Sequence, residues 1–175
     1  MEAPPASPFT VWEYDLAATQ AWKRHPVIDA GVGAPRNVRF VTIDLSTTGL
    51  AAVEAPGRAT WSRMDVTMYR TPHATTEVPD AIADLGTGTT VVANVAVAPE
   101  ECDELGLAAA RSAASLVASV GEPVVATYRR GDVERRATGF NHVELLDAAE
   151  LSNRYLRDHK DRTLPDSTVI AVAVV

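Results

Sequence analysis

Cysteine occurs once in these 175 residues, as Cys102, which excludes an intramolecular disulfide framework and any multi-cysteine zinc site. Long apolar runs are missing too. A membrane span needs about 18 consecutive apolar residues, and the nearest stretch, Leu105 to Val120, is alanine-rich and broken by Arg111 and three serines. Basic charge is scarce: 16 Lys and Arg against 23 Asp and Glu leave a net charge of −7, and only two of the cations are lysines. Phosphate neutralisation needs a clustered basic face, so no nucleic-acid partner is expected. The residues before Phe9 lack a basic segment followed by an apolar core, so they read as a flexible N-terminal arm over 1–8 and not as a secretory leader. A 46% apolar content supports a core for one compact domain over 9–175. These absences together point to a cytoplasmic protein without membrane partners. HExxH, CxxC, P-loop, GxSxG and EF-hand patterns are also absent, so neither a metal nor a cofactor is expected.

The pattern that is present alternates strands with helices. Phe9 to Asp15 reads as a strand, Leu16 to His25 as a helix ended by Pro26, and Asn37 to Leu45 as a second, β-branched strand. Leu50 to Glu54 and Arg58 to Arg70 read as extended pieces joined by the turn residues Ala55-Pro56-Gly57, with a short helix near Pro79 to Leu85. Thr89 to Ala98 is a strongly apolar strand. Pro99 to Val120 reads as a helix with acids at its positive end and a stripe of Cys102, Leu105, Ala109, Ala113, Leu116 and Val120. Pro123 to Arg129 and Val133 to Leu146 flank Arg130-Gly131-Asp132, which reads as a hairpin turn. Asp147 and Glu150 have capping-box spacing for a helix to about Lys160, with Leu151 and Tyr155 facing inward, and Ser167 to Val175 is the last strand.

The expected fold class is therefore α+β: an antiparallel sheet with helices packed on one face, in ferredoxin-like βαββαβ order over 89–175. The N-terminal half can be read in the same order, as a second similar layer. The apolar run VIAVAVV at the end needs burial on both faces, and homo-oligomerisation or that second layer would supply it.

Candidate site residues lie at strand ends and on polar strand faces. Period two places Trp61, Arg63, Asp65, Thr67 and Tyr69 on one face, opposite Met64, Val66 and Met68. Arg63, with Arg70 and Trp61, is suited to binding an anionic or polar substrate, and Asp65 or Tyr69 to moving a proton. His73 follows on a loop at a strand end, where site residues concentrate. Phe140, His142 and Glu144 share another face, where a glutamate beside a histidine can hold and polarise it for proton transfer. Glu13 and Asp15 become raised-pKa acids if their strand face is inward, or solvent-facing charges if the strand is an edge, and Asp44 has the same two possibilities. Cys102 reads as a core residue.

The run Val95-Ala96-Val97-Ala98-Pro99-Glu100, the glycine in Asp103-Glu104-Leu105-Gly106-Leu107-Ala108, and Gly139-Phe140 together loosely resemble the strand-helix core and closing Gly-Phe of GCN5-related N-acetyltransferases. The resemblance implies acyl transfer from coenzyme A. Asp103 departs from it, standing where that family places Gln or Arg, and acids crowd the amides that would hold a pyrophosphate. The segment from Arg129 to Phe140 is also short for that family's last helix.

From the residues alone, the leading expectation is a small cofactor-independent enzyme of isomerase, cyclase or lyase type. It would perform acid–base chemistry on a small polar or carbonyl substrate. The alternatives are a noncatalytic oligomeric binding or assembly protein and the acyltransferase.

Overall fold

Two strands can run parallel only if a long connection carries the chain back across the sheet, and a helix is the usual means. That is what the first 44 residues encode. In the computed structural model, which describes residues 9–31, 36–44, 58–71, 82, 86–159 and 161–175, the contacts gather into two units, residues 1–52 and 53–175. In the first unit, β1 (Val11–Asp15), α1 (Ala17–Asp29) and β2 (Val38–Thr42) form a βαβ motif, with β1 parallel to β2 and Val11 opposite Val38. This parallel pairing overturns the expectation that the N-terminal half repeats a ferredoxin-like order.

The helix passes through Pro26, where the sequence suggested it would stop. Proline removes its own donor, but its carbonyl still accepts the Ala30 N–H at 2.9 Å. Gln20, 5% exposed, is the buried residue of α1. Its Nε2 donates to the carbonyls of Glu13 and Val41, each at 3.1 Å, and its Oε1 accepts from Thr42 Oγ1 at 3.1 Å. One amide side chain thus ties the helix to both strands and leaves few buried polar atoms unsatisfied.

The second unit contains β3 (Thr60–Arg63), β4 (Thr90–Ala96), α2 (Glu104–Ser119), α3 (Arg130–Arg136), β5 (His142–Leu146), α4 (Ala148–Tyr155) and β6 (Thr168–Val174). The sheet order is β3-β4-β6-β5. β3 is parallel to β4, whereas β6 is antiparallel to both β4 and β5. The reversed last strand is therefore inserted between two strands that run the same way. It has a strand on each side and one face in the core: Val169 and Ala173 are buried, and Val169 joins Val95, Val97, Ala126 and Tyr128 there, with Cys102 and Val133 packed against them, while Ile170, Val172 and Val174 on the other face are half-buried.

This sheet is mixed, which corrects the antiparallel ferredoxin-like expectation at identifiable places. Arg130-Gly131-Asp132 is not a hairpin turn but the first turn of α3. Glu101 Oε2 accepts the Arg130 N–H at 2.9 Å, satisfying a donor that a helix start leaves open. Asp132 in the first turn and Arg135 and Arg136 in the last complement the helix dipole. The stretch before it contributes only one bridge, Tyr128 to Val97. The expected strand over 58–70 stops at Arg63. Pro99–Glu101 is a separate 3-10 turn, and α2 begins after Asp103, whose side chain caps the Gly106 N–H at 2.5 Å.

The buried stripe of α2 is consequently rotated by about one residue. Leu105, Leu116 and Val120 are exposed, while Gly106 is buried and Ala110, Ala114 and Val117 are half-buried. Asp147 caps α4 through the Glu150 N–H at 2.8 Å, as the spacing suggests, but the helix ends at Tyr155, which is exposed. The readings over 50–54 and 79–85, Ile82 apart, fall outside the described residues.

Gly106 faces the chain near Asp166. A Cβ there would sit 2.7 Å from the Asp166 carbonyl carbon and 2.8 Å from its oxygen. Alanine gains about 1 kcal/mol of helix propensity, but overpacking against backbone costs about 1–3 kcal/mol. Gly106→Ala is expected to lower stability by about 1 kcal/mol in urea denaturation; a raised midpoint would contradict this packing.

Candidate functional site

In open sheets with parallel strands, ligands bind outside the carboxyl ends of the strands. In the first unit that edge carries Asp15, the last residue of β1, and Asp44, two residues beyond β2. Lys23 of α1 donates to Glu13 Oε1 at 2.8 Å and to Asp15 Oδ2 at 2.7 Å, while Asp15 Oδ1 accepts the Leu16 N–H at 2.8 Å. Burial pushes the Asp15 carboxyl up, but hydrogen bonds from Lys23, Leu16 and Thr19 outweigh it and hold the group below its ordinary value. Lys23 is held above its own, by its hydrogen bonds to Asp15 and Glu13. Of the two possibilities for Asp15, the raised-pKa acid is excluded: this carboxylate stays ionised and suits binding, not proton donation.

In the second unit, the chain leaves β3 after Arg63 and turns through Asp65 at φ +56°, a left-handed conformation that Asp tolerates better than most residues. Asn94, 7% exposed in the middle of β4, holds the turn. Its Oδ1 accepts the Asp65 N–H and its Nδ2 donates to Asp65 Oδ1, each at 2.6 Å; Thr67 Oγ1 donates to the Asn94 carbonyl at 2.6 Å. Asp65 thus serves as a latch at the strand end. The expected face of Trp61, Arg63, Asp65, Thr67 and Tyr69 is broken there, because Thr67–Tyr69 is a 3-10 turn.

Arg63 pairs with Ala93 and lies on the sheet face of Val91, Ala93 and Val95. That face borders a cavity of about 90 Å³, lined also by Tyr128, Phe140, Ala171 and Arg136. The Arg63 guanidinium is pushed down to about 10, first by burial and then by the like charge of Arg70, with Tyr128 offsetting part of the effect. Arg63, Arg70 and Tyr128 are therefore close enough to interact.

His142 and Glu144 are not brought to this place. They lie opposite Val174 and Val172 on β6, whereas Val143, Ala171 and Ala173 form the cavity side. They also belong to the edge strand farthest from β3. Glu144 accepts from Arg154 at 2.5 Å, and His142 is exposed. His73 lies outside the described residues. Cys102 is half-buried beside the core, and burial pushes its thiol up, which disfavours the nucleophilic thiolate. Among the described residues no cluster of His, Cys, Asp and Glu is placed to hold a metal, and no helix is long and apolar enough to cross a membrane.

Residue-by-residue reading missed Gln20, Lys23, Asn94 and Tyr128. Asn94 had a signal, as the one amide in the apolar run TTVVANVAVA. The others are recognisable only once their distant partners are known.

Two variants test these latches. Asn94→Ala removes both side-chain bonds to Asp65 and is expected to cost about 1–2 kcal/mol in urea denaturation; an unchanged midpoint would contradict the latch. Lys23→Met is expected to cost about 0.5–1 kcal/mol at neutral pH. Asp15 has a depressed folded pKa, so its contribution is present above the unfolded value of 3.8 and fades as pH falls through the lower folded one. The gap between wild type and Lys23→Met should therefore narrow in acid, and a gap constant down to about pH 2 would contradict the pairing.

No family model matches the chain, and no curated protein matches it. Solved structures do. An O-methyltransferase family protein from Burkholderia thailandensis is 18% identical over 94% of this chain and 43% of its own, with a TM-score of 0.59. A DUF574 family protein from Streptomyces avermitilis is 15% identical over 98% of this chain and 66% of its own, with a TM-score of 0.57. Human N-acetylserotonin methyltransferase, solved with S-adenosylmethionine, is 9% identical over 94% of this chain and 40% of its own, with a TM-score of 0.57. The chain thus spans from two fifths to two thirds of these proteins' length. Further matches include a methyltransferase named as S-adenosylmethionine-dependent and an O-methyltransferase of neocarzinostatin biosynthesis.

Small-molecule ligands accompany several of these neighbours. The expectation of a cofactor-independent acid–base enzyme is overturned by this likeness, since the neighbours named for an activity are methyltransferases that use a bound cofactor. The shared fold is the Rossmann-like class I fold of S-adenosylmethionine-dependent methyltransferases, with a mixed sheet, in place of the ferredoxin-like one.

Proposed function

We propose that this chain works in methyl transfer from S-adenosylmethionine to a small molecule. The observation that carries the reading is the reversed β6 between β4 and β5, in a sheet whose β3 and β4 are parallel. It belongs to a fold matched over 94% of the chain by structures named as methyltransferases.

The residues present fit part of such a cofactor. A ribose offers two hydroxyl donors, and in dinucleotide-binding sheets an acidic side chain at a strand's carboxyl end takes them. Asp15 stands at that position on β1, ionised and partly exposed. A carboxylate has about four acceptor positions, and Lys23, the Leu16 N–H and Thr19 occupy three of those on Asp15, which leaves one for a ribose hydroxyl. Lys23 fixes the orientation of the carboxylate that remains available. The cofactor carries no phosphate, so the missing glycine-rich phosphate loop is no obstacle. When bound, it supplies a methyl group activated by a sulfonium. The part of this chain is to hold the ribose.

Calorimetric titration with S-adenosylhomocysteine tests the reading. Saturable binding is expected, weakened about tenfold in Asp15→Ala, as the loss of about 1.4 kcal/mol from charge-assisted hydrogen bonds implies. No heat up to about 1 mM ligand would overturn it.

A further inference from the structure

Tyr128 of the second unit is buried with its hydroxyl unmatched, and the methyl-transfer reading makes no use of it. The residue is 6% exposed, and the hydroxyl has no hydrogen-bond partner among the described residues. It borders a pocket whose floor is the sheet face of Val91, Ala93 and Val95 on β4 with Ala171 and Ala173 on β6. Ala93 and Ala171 lie opposite each other in the register of two inner strands, yet each is only half-buried. Side chains this small leave the sheet uncovered at that point. The pocket is half-open to solvent, so it receives one end of a molecule and sets no limit on the length of the rest.

A hydroxyl taken out of water without a partner is costly, so a partner is wanted there. The other polar side chains of the lining do not provide one. Thr67 Oγ1 donates to the Asn94 carbonyl at 2.6 Å, Arg63 has an interaction of its own, and Arg136 is exposed and solvated. A water needs about 2–4 polar partners to stay in such a place, and Tyr128 alone does not supply them.

The chemistry of the partner follows from the surroundings of the hydroxyl. Tyr128 and Arg63 interact electrostatically. A cation draws the hydroxyl oxygen towards itself and turns the proton away, so the hydroxyl has a donor to offer and the partner is an acceptor. A charged acceptor is disfavoured, because it would leave water for a largely apolar lining whose buried cation is already engaged. An amide is disfavoured for a similar reason, since it brings N–H donors to apolar walls.

We propose that this pocket binds the carbonyl end of a neutral, apolar ketone or ester, its oxygen accepting from the Tyr128 hydroxyl and its hydrocarbon part resting on Ala93, Ala171 and Ala173. The site lies within the second unit and stands whether or not S-adenosylhomocysteine binds.

The free chain gives the first test. Tyr128→Phe removes a hydroxyl that makes no bond, so its midpoint in urea is expected to equal or exceed that of the wild type; a lowered midpoint would show the hydroxyl already bonded and would overturn the proposal. The second test is a nuclear magnetic resonance titration of the full chain, following the amides of Ala93, Tyr128, Ala171 and Ala173 with three probes built on one ring: cyclohexanone, cyclohexanecarboxylate and cyclohexylammonium. Cyclohexanone is expected to saturate with a millimolar Kd, and the anion and the cation to bind at least about tenfold more weakly. Tyr128→Phe should weaken cyclohexanone about fivefold or more. Ala171→Leu should abolish its binding by filling the space; where that variant does not fold, Ala93→Val is the smaller filling variant with the same expected loss. Absent saturation at about 100 mM cyclohexanone, binding of either ion as tight as that of the ketone, or undiminished binding in Tyr128→Phe or in a folded filling variant would overturn the proposal.

Discussion

The arrangement of the second unit depends on one strand being hydrogen-bonded on both sides. β6 comes last in the chain, yet it lies between β4 and β5 and runs against both. Those two strands run the same way, so without β6 their intervening edges would present unpaired backbone donors and acceptors to the core. One face of β6 enters the core and the other is half-buried. Val169, Ala171 and Ala173 face the cavity and core, and Ile170, Val172 and Val174 face the other side. The run VIAVAVV is the sequence record of that position. That the strand is flanked and packed was readable from it; which strands flank it was not.

Each unit also relies on a buried amide side chain. Gln20 ties α1 to β1 and β2, and Asn94 holds the turn after β3. A buried amide is favourable only when most of its hydrogen bonds are made, so each amide fixes the geometry of the element it binds. Both act near a strand's carboxyl end, the edge where this class of sheet binds its ligands. The binding role proposed for Asp15 rests on the first of these supports. Asp15 is held by Lys23 one turn of α1 beyond Gln20, and Arg63 ends β3 two residues before the Asn94 latch.

Local patterns revealed the elements but not their pairing. The strands at 11–15, 38–42, 90–96 and 168–174 and the helix over 104–119 are visible in β-branched runs, acidic helix starts and closing glycines. The parity of His142 and Glu144 on one face was also readable, because it depends only on period two along one strand. That this face is turned away from Arg63, with two strands intervening, is a matter of sheet order. Sheet order is set by tertiary contacts that no local pattern encodes.

The mistaken hairpin has a similar cause. Arg130-Gly131-Asp132 carries a turn signal, but Glu101, remote in sequence, supplies the acceptor that makes it a helix start. Asp65 likewise breaks an alternation that looks regular on paper, because Asn94 stabilises its left-handed backbone. With those pairings unread, the ferredoxin-like order and the acid–base reading built on it followed naturally from the alternation.

The inserted position of β6 is most directly tested by native-state amide hydrogen exchange. An inner strand alternates its N–H groups between two neighbours, so every amide from Ile170 to Val174 should be protected to the level of global unfolding. Fast exchange at every second amide in that stretch would place β6 at a sheet edge and contradict the account.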